Sequence, residues 1–369
     1  MTVEALDFKG FRLRDESWLI NEYSQLGICM KFFSFITLIV LAMLIAESFV
    51  SKSSVEPAQY QLFKIESHRQ NLALALHRYS PRQQNIKGTI LLLHGSSFPS
   101  KLSFGFSMTG GSWADYLVAH GYRVYMLDFL GFGYSDRYPE MINSLKSAQP
   151  VGQLTDVSGD VARAISFILD KEALLFIDLL GHSWGSAVAA HYAQSHKGQI
   201  KNLVLYASIY HHDQALDKPL KLVPAYKDLS AIARVESLNN LSPTTSLLAN
   251  SIFDEWPQQW LASAPLTDNS QSVRYPAGPS IDVQNLLRGK PLFNASQIKN
   301  NVLVIRGEYD KFPSNEHANR LFEDLTAAKR KQYVVIGEGT HVIHLEKNRR
   351  QLYQQVMSFL TNTEEESNQ

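Results

Sequence analysis

Ser183 stands in the run Gly181-His-Ser-Trp-Gly185, between an apolar stretch at residues 173–180 and a small, apolar stretch at residues 186–193. The first stretch reads as a strand and the second as a helix, so the chain must turn from one to the other within a couple of residues. At such an apex the serine takes a strained backbone conformation, and the positions two before and two after it must lack side chains. Gly181 and Gly185 meet that demand. A serine hydroxyl is a weak nucleophile near neutral pH. It needs a base within hydrogen-bond reach, and an imidazole titrating near pH ~6.5 suits the task. A carboxylate on the other ring nitrogen would fix the tautomer and stabilise the imidazolium that forms. The chemistry such a set performs is acyl transfer through a covalent intermediate. The plainer reading of Ser183 is a serine that only turns the chain.

The elements that would position this serine are legible in the hydrophobic pattern. Residues 59–66 and 71–79 alternate apolar and polar side chains, as two opening antiparallel strands would. Short, nearly continuous apolar runs follow at residues 89–93, 122–127, 174–180, 203–206, 302–305 and 333–336. Runs of that kind belong to parallel strands covered on both faces. Helical spacing lies between and after them, at residues 113–120, at Val157, Val161, Ile165 and Ile168, at residues 187–194 and 321–328, and at Leu352, Val356 and Phe359. Alternating strand and helix predict an α/β fold with a doubly wound, mostly parallel sheet and right-handed crossovers. Residues 209–300 break the rhythm with prolines, Phe253, Trp256 and Trp260, and read as a cap inserted between two strands. Packing is the favoured role for the two tryptophans, with ligand contact as the alternative.

Ordered motifs along residues 59–360 give the chain a resemblance to the α/β-hydrolase superfamily. The string Leu91-Leu-Leu-His-Gly-Ser96 looks like the strand-ending His-Gly of an oxyanion loop. The string Asp128-Phe-Leu-Gly-Phe-Gly-Tyr-Ser-Asp136 looks like the family's Asp-x-x-Gly-x-Gly-x-Ser segment. Arg306-Gly-Glu-Tyr-Asp310 follows a strand where the family places its acid, and Gly337-Glu-Gly-Thr-His341 follows the last strand where it places its histidine. The order Ser, Asp, His is the one this fold requires. The resemblance thus implies Ser183 as nucleophile, His341 as base and Asp310 as the orienting acid. It also implies backbone N–H donors for the tetrahedral intermediate from Ser96 and Trp184. Glu308 and Asp213 are the rival acids, and a helix N-cap near Ser314 is the structural alternative for Asp310. His344 is the rival base and is expected to open the final helix. His94 and His182 read as structural, and Asp128 as the acid of a turn built on Gly131 and Gly133. No metal or organic cofactor is implied.

Composition limits the partners. The chain has 369 residues, and its 35 Lys and Arg balance 35 Asp and Glu, with no basic run interleaved with aromatics. That argues against nucleic acid as a partner. The only cysteine, Cys29, permits no intramolecular disulfide. Residues 32–46 are uncharged, follow Lys31 and precede Glu47, and with residues 47–50 read as a signal sequence or a short membrane anchor. A buried core helix is the alternative. Residues 1–31 then form an N-terminal extension, with Met1 or Met30 as the start, residues 51–58 a polar linker, and residues 361–369 an acidic, disordered tail.

The expected activity is hydrolysis of a carboxylic ester, lipid-like or moderately apolar, by a protein anchored in or exported to the cell envelope. A peptidase or carbon–carbon bond hydrolase would use the same residues, and a non-catalytic binding member of the fold is the reading from another class. If residues 32–46 add nothing to the core, a chain starting near Ser54 should be soluble, monodisperse and active, while the full-length chain partitions into membranes or is exported in a shorter form. Fractionation with size-exclusion chromatography checks this. An insoluble, inactive truncation beside a soluble full-length chain would show that the segment packs within the domain.

Overall fold

The computed structural model describes residues 58–82, 85–142, 149–210, 221–263 and 271–365. The extension at 1–31, the apolar segment at 32–50, nearly all of the linker, Cys29 and Asp213 lie outside these residues. Among the described residues, no helix is long and apolar enough to cross a membrane.

Strands β1 (Gln59–Glu66), β2 (Ala73–Ser80) and β3 (Gly88–Leu93) open the domain, followed by the short helix α1 (Ser100–Ser103), α2 (Trp113–Ala119) and β4 (Tyr122–Asp128). Helices α3 (Pro139–Ile142) and α4 (Leu154–Glu172) lead to β5 (Ile177–His182), α5 (Trp184–Ser195) and β6 (Ile200–Tyr206). These strands, with β9 (Asn301–Gly307) and β10 (Arg330–Ile336), make one sheet of eight in the order β1-β2-β4-β3-β5-β6-β9-β10. The sheet is mostly parallel, because only β2 runs against its neighbours. It is the doubly wound α/β architecture.

The period-two alternation of strand side chains builds two cores. Leu91 and Leu93 of β3, with Leu179 of β5 and Leu203 and Leu205 of β6, face α4 and α5. Ile90 and Leu92, with Leu180 and Val204, face α2 and the C-terminal helix α10 (Arg349–Glu365). Helix α4 contributes Val157, Val161, Ala164, Ile165 and Ile168, a stripe at three- and four-residue spacing.

Three boundaries differ from the sequence reading. The apolar run at 174–180 is strand only from Ile177, because Ala173 closes α4 at φ 50° and the Leu174 N–H returns to the Leu169 carbonyl at 2.9 Å. Leu175 and Phe176 are left exposed. The helix expected over 321–328 is α9 (Asn315–Asp324), which starts earlier because Ser314 forms a capping box with His317. It ends where Leu325 leaves helical geometry at ψ 57°. Helix α10 continues to Glu365, into the segment expected to be disordered from residue 361.

Between β6 and β9 the described residues form a two-stranded antiparallel sheet of β7 (Tyr226–Ser230) and β8 (Ser272–Pro276), with α6 (Ala231–Asn239), α7 (Ser251–Ala262) and α8 (Gly278–Leu287). Trp256 and Trp260 of α7 are buried, packed with Phe98 and Leu102 of the loop and helix after β3. The Trp256 indole N–H donates to the Leu102 carbonyl at 3.2 Å. The tryptophans therefore fasten the insertion to the sheet's carboxyl edge. Trp256→Ala should cost about 3–5 kcal/mol of unfolding free energy, whereas Phe253→Ala, on the exposed side of the same helix, should cost under about 1 kcal/mol. Denaturant melts compare the two, and equal losses would contradict this packing.

Candidate active site

The strand-to-helix turn is as tight as the sequence demands. Ser183 has φ 57° and ψ −123°. A Cβ at Gly181 would lie 2.4 Å from the Gly185 carbonyl oxygen, and one at Gly185 would lie 2.1 Å from that of His94. Only hydrogen fits at either position. The Ser183 N–H donates to the Tyr206 carbonyl at 2.8 Å, and Ser186 donates to the Ser183 carbonyl through its N–H and its hydroxyl, at 3.0 and 2.6 Å.

Three side chains expected from sequence meet at this turn. Ser183 Oγ lies 2.8 Å from His341 Nε2, and His341 Nδ1 lies 2.9 Å from Asp310 Oδ2. Since the carboxylate can only accept, Nδ1 carries the proton and Nε2 is free to accept from the serine. The Asp310 side chain is 1% exposed and that of His341 20%, so the acid is sealed while the base remains reachable. Asp310 Oδ1 accepts the Phe312 N–H at 3.0 Å, which fixes the carboxylate plane. The rival Glu308 is occupied elsewhere, accepting the Glu338 N–H at 2.9 Å. Ser314, not Asp310, caps α9.

The expected oxyanion donors lie on two elements beside the serine. Trp184 is the first residue of α5, where N–H groups have no intrahelical acceptor. Ser96 follows Gly95, where a Cβ would lie 3.5 Å from the Ser183 Cβ, so that loop abuts Ser183. The Trp184 indole N–H donates at 2.8 Å to Asp282 of α8, which also accepts the Leu154 N–H at 2.8 Å. Burial pushes the Asp282 carboxyl up to about 6, against the pull of these two hydrogen bonds.

Beneath the base lies a layer of uncharged rings. The His341 carbonyl accepts His182 Nε2–H at 2.9 Å and the Tyr206 hydroxyl at 3.3 Å. His344 does not open the last helix. It sits in a 3₁₀ turn at Ile343–Leu345, with Nδ1 3.0 Å from the Tyr206 hydroxyl. Burial, with the neighbouring histidines, holds His182 well below its ordinary value, and burial lowers His344 to about 3. Both hold a proton poorly and are bonded to groups other than Ser183 Oγ, so neither competes with His341 there. His94 is also buried, lowered to about 4 by loss of water, and its Nε2 accepts the Phe129 N–H at 3.2 Å. Asp128 accepts from the Ser100 N–H and hydroxyl, the Tyr134 N–H and His77, and bears on the turn, not the chemistry.

Sequence reasoning did not single out Asp282, Tyr206 or Glu346. Glu346 accepts both the N–H and the hydroxyl of Thr340, the residue before His341. None belongs to a motif, and their roles exist only through tertiary contact.

A family profile described as "Serine aminopeptidase, S33" matches residues 84–348. No curated protein matches the chain by sequence. Solved structures of similar fold include the meta-cleavage product hydrolase from Pseudomonas fluorescens IP01, with TM-score 0.55 and 16% identity over 81% of this chain and 97% of that one. A putative lipase from Acinetobacter baumannii AYE has TM-score 0.55 and 17% identity over 85% and 93%. The thioesterase domain from the curacin biosynthetic pathway has TM-score 0.54 and 16% identity over 81% and 99%.

Burial raises the Glu346 carboxyl from 4.5 to about 7. The folded chain holds that proton more tightly than the unfolded chain, so this contribution to stability is full below about pH 4.5 and is lost as pH rises through about 7. Thermal melts between about pH 5 and about pH 8 should show stability falling with pH, and less steeply in Glu346→Gln. Parallel curves for the two proteins would contradict a carboxylate buried under the His341 loop.

Proposed function

The chain belongs to this serine aminopeptidase, S33, family of the α/β-hydrolase superfamily, and on that premise we propose that it cleaves a carboxylic ester through an acyl-enzyme on Ser183. The observation that carries the reading is the unbroken hydrogen-bonded chain from Ser183 Oγ through His341 to Asp310, at 2.8 and 2.9 Å. The fold neighbours include a thioesterase domain, a putative lipase and a meta-cleavage product hydrolase, so the fold alone leaves the cleaved bond open. A serine positioned by an imidazole and a sealed carboxylate favours acyl transfer.

In the first half-reaction Ser183 Oγ bonds to the acyl carbon while its proton passes to His341 Nε2. The carbonyl oxygen becomes an oxyanion facing the N–H groups of Trp184 and Ser96, and Asp310 faces the imidazolium across Nδ1–H. Collapse breaks the carbon–alkoxide bond, and the alcohol leaves with the proton from Nε2. In the second half, water loses a proton to Nε2 and attacks the acyl carbon. The Ser183 oxygen then departs with that proton, releasing the carboxylic acid and restoring the starting state. The neutral layer of His182, His344 and Tyr206 keeps the loop carrying His341 in place throughout. We further propose that residues 32–50 deliver this activity to a membrane or beyond it, on the strength of their uncharged run.

Ser183→Ala should abolish turnover of short-chain nitrophenyl esters. Asp310→Asn should lower kcat by about 10⁴ through the wrong histidine tautomer, while Glu308→Gln, whose carboxylate holds only a loop N–H, should stay within about threefold of the parent. Near-parental turnover by Ser183→Ala, or a loss at Glu308 that matches the loss at Asp310, would overturn the assignment.

A further inference from the structure

A cavity of about 520 Å³ begins at Ser96 and Ser97, on the loop that abuts the nucleophile, and extends under β8 and α8. Four cations line it, Lys221, Lys227, Arg234 and Arg288, and among the described residues no carboxylate does. The remaining wall carries Pro276, Pro279, Val283 and Leu287. The lining thus combines cationic and apolar side chains.

Arg234 is the most telling of the four. Its guanidinium donates to the Ser97 hydroxyl at 2.8 Å and lies 5.7 Å from the centre of the Phe98 ring. Its Nε is buried and has no partner. Loss of water holds its pKa below the ordinary arginine range, and the Tyr275 hydroxyl on the same cavity wall opposes the fall. Lys227, exposed and bonded to the Ser280 hydroxyl at 2.7 Å, is lowered in the same direction by partial loss of water. Arg274 of the same small sheet holds Asp228 at 2.9 Å and Arg78 holds Glu172 at 2.9 Å, while Arg137, Arg306 and Arg349, none of which lines this cavity, donate to backbone carbonyls. A cation stripped of water and given no carboxylate is electrostatically incomplete. An anion arriving through the cavity would complete it.

We infer that this cavity is the substrate pocket and that it selects an ester whose acyl or alcohol part carries an anionic group, a carboxylate or a phosphate, beside an alkyl segment. The inference rests on the hydrolase reading above. Arg234 and Lys227 meet the anion, the proline and aliphatic wall takes the alkyl segment, and Ser96 links the pocket to the oxyanion position. A free ammonium terminus in this pocket would meet four like charges.

Two matched pairs test this. Nitrophenyl hydrogen adipate against nitrophenyl hexanoate places a carboxylate on the acyl part, and hexanoylglycerol phosphate against hexanoylglycerol places a phosphate on the alcohol part. In at least one pair the anionic member should have kcat/KM about tenfold or more above its neutral partner, which names the group and the side. That ratio should shrink as salt is raised, fall toward unity in Arg234→Gln and recover in Arg234→Lys. Lys227→Gln, at an exposed position, should lower it several-fold and serves if Arg234→Gln does not fold. A neutral preference in both pairs, or an anionic preference unchanged in both glutamine variants, overturns the inference while leaving the hydrolase intact. Hydrolysis of no member above a Ser183→Ala blank overturns the hydrolase reading and this one with it.

Discussion

The steric constraint at the turn between β5 and α5 governs this molecule. Ser183 occupies φ 57° and ψ −123°, a sparsely populated conformation that costs on the order of 1–3 kcal/mol. It persists because its neighbours leave no alternative. The Ser183 N–H is held by the β6 strand end at Tyr206, Ser186 holds its carbonyl twice, and Gly185 is pressed against the carbonyls of Leu93 and His94. The contact between Gly185 and His94 also sets where the loop after β3 can run, so the position of Ser183 and that of Ser96 are one choice, not two. Everything else at the site is arranged around an oxygen whose place the sheet has fixed.

Around that fixed point the structure divides the work between charged and neutral groups. Asp310 is sealed and held by the Phe312 N–H, and faces His341. Below it, burial keeps His182 and His344 uncharged, so their hydrogen bonds to Tyr206 and the His341 carbonyl position His341 without adding a charge. Above it, the insertion between β6 and β9 reaches back through Asp282 to the indole of Trp184. Trp184 is therefore tied both to the helix it starts and to the insertion. The insertion also contributes the cations of the cavity, so one segment both braces the turn and lines the cavity beside it.

What could be read in the sequence follows from how local each constraint is. The demand for Gly181 and Gly185 arises within five residues, and the apolar runs of β3, β5 and β6 arise from burial on both faces, so both were legible. Asp310 and Glu308 could not be separated by order along the chain, since both follow β9. Their roles depend on which way the loop folds, and only the contacts of Glu308 with Glu338 and of Asp310 with His341 distinguish them. Residues 174–176 read as strand because they are apolar, yet Ala173 in the left-handed region and the return of Leu174 to Leu169 keep them out of the sheet. Arg234, Asp282 and Glu346 left no signal at all. Each is an ordinary charged residue in a segment of mixed composition, and its meaning comes from partners some 6 to 137 positions away.

The central claim is that Ser183 carries the acyl group during turnover. Rapid acid quench of the protein with nitrophenyl hexanoate, followed by peptide mass spectrometry, reads it directly. The account predicts a hexanoyl group on the peptide containing Ser183, appearing with a burst of nitrophenol and absent from His341→Ala. Continued turnover with no acyl adduct, or with the adduct on a different residue, would contradict it.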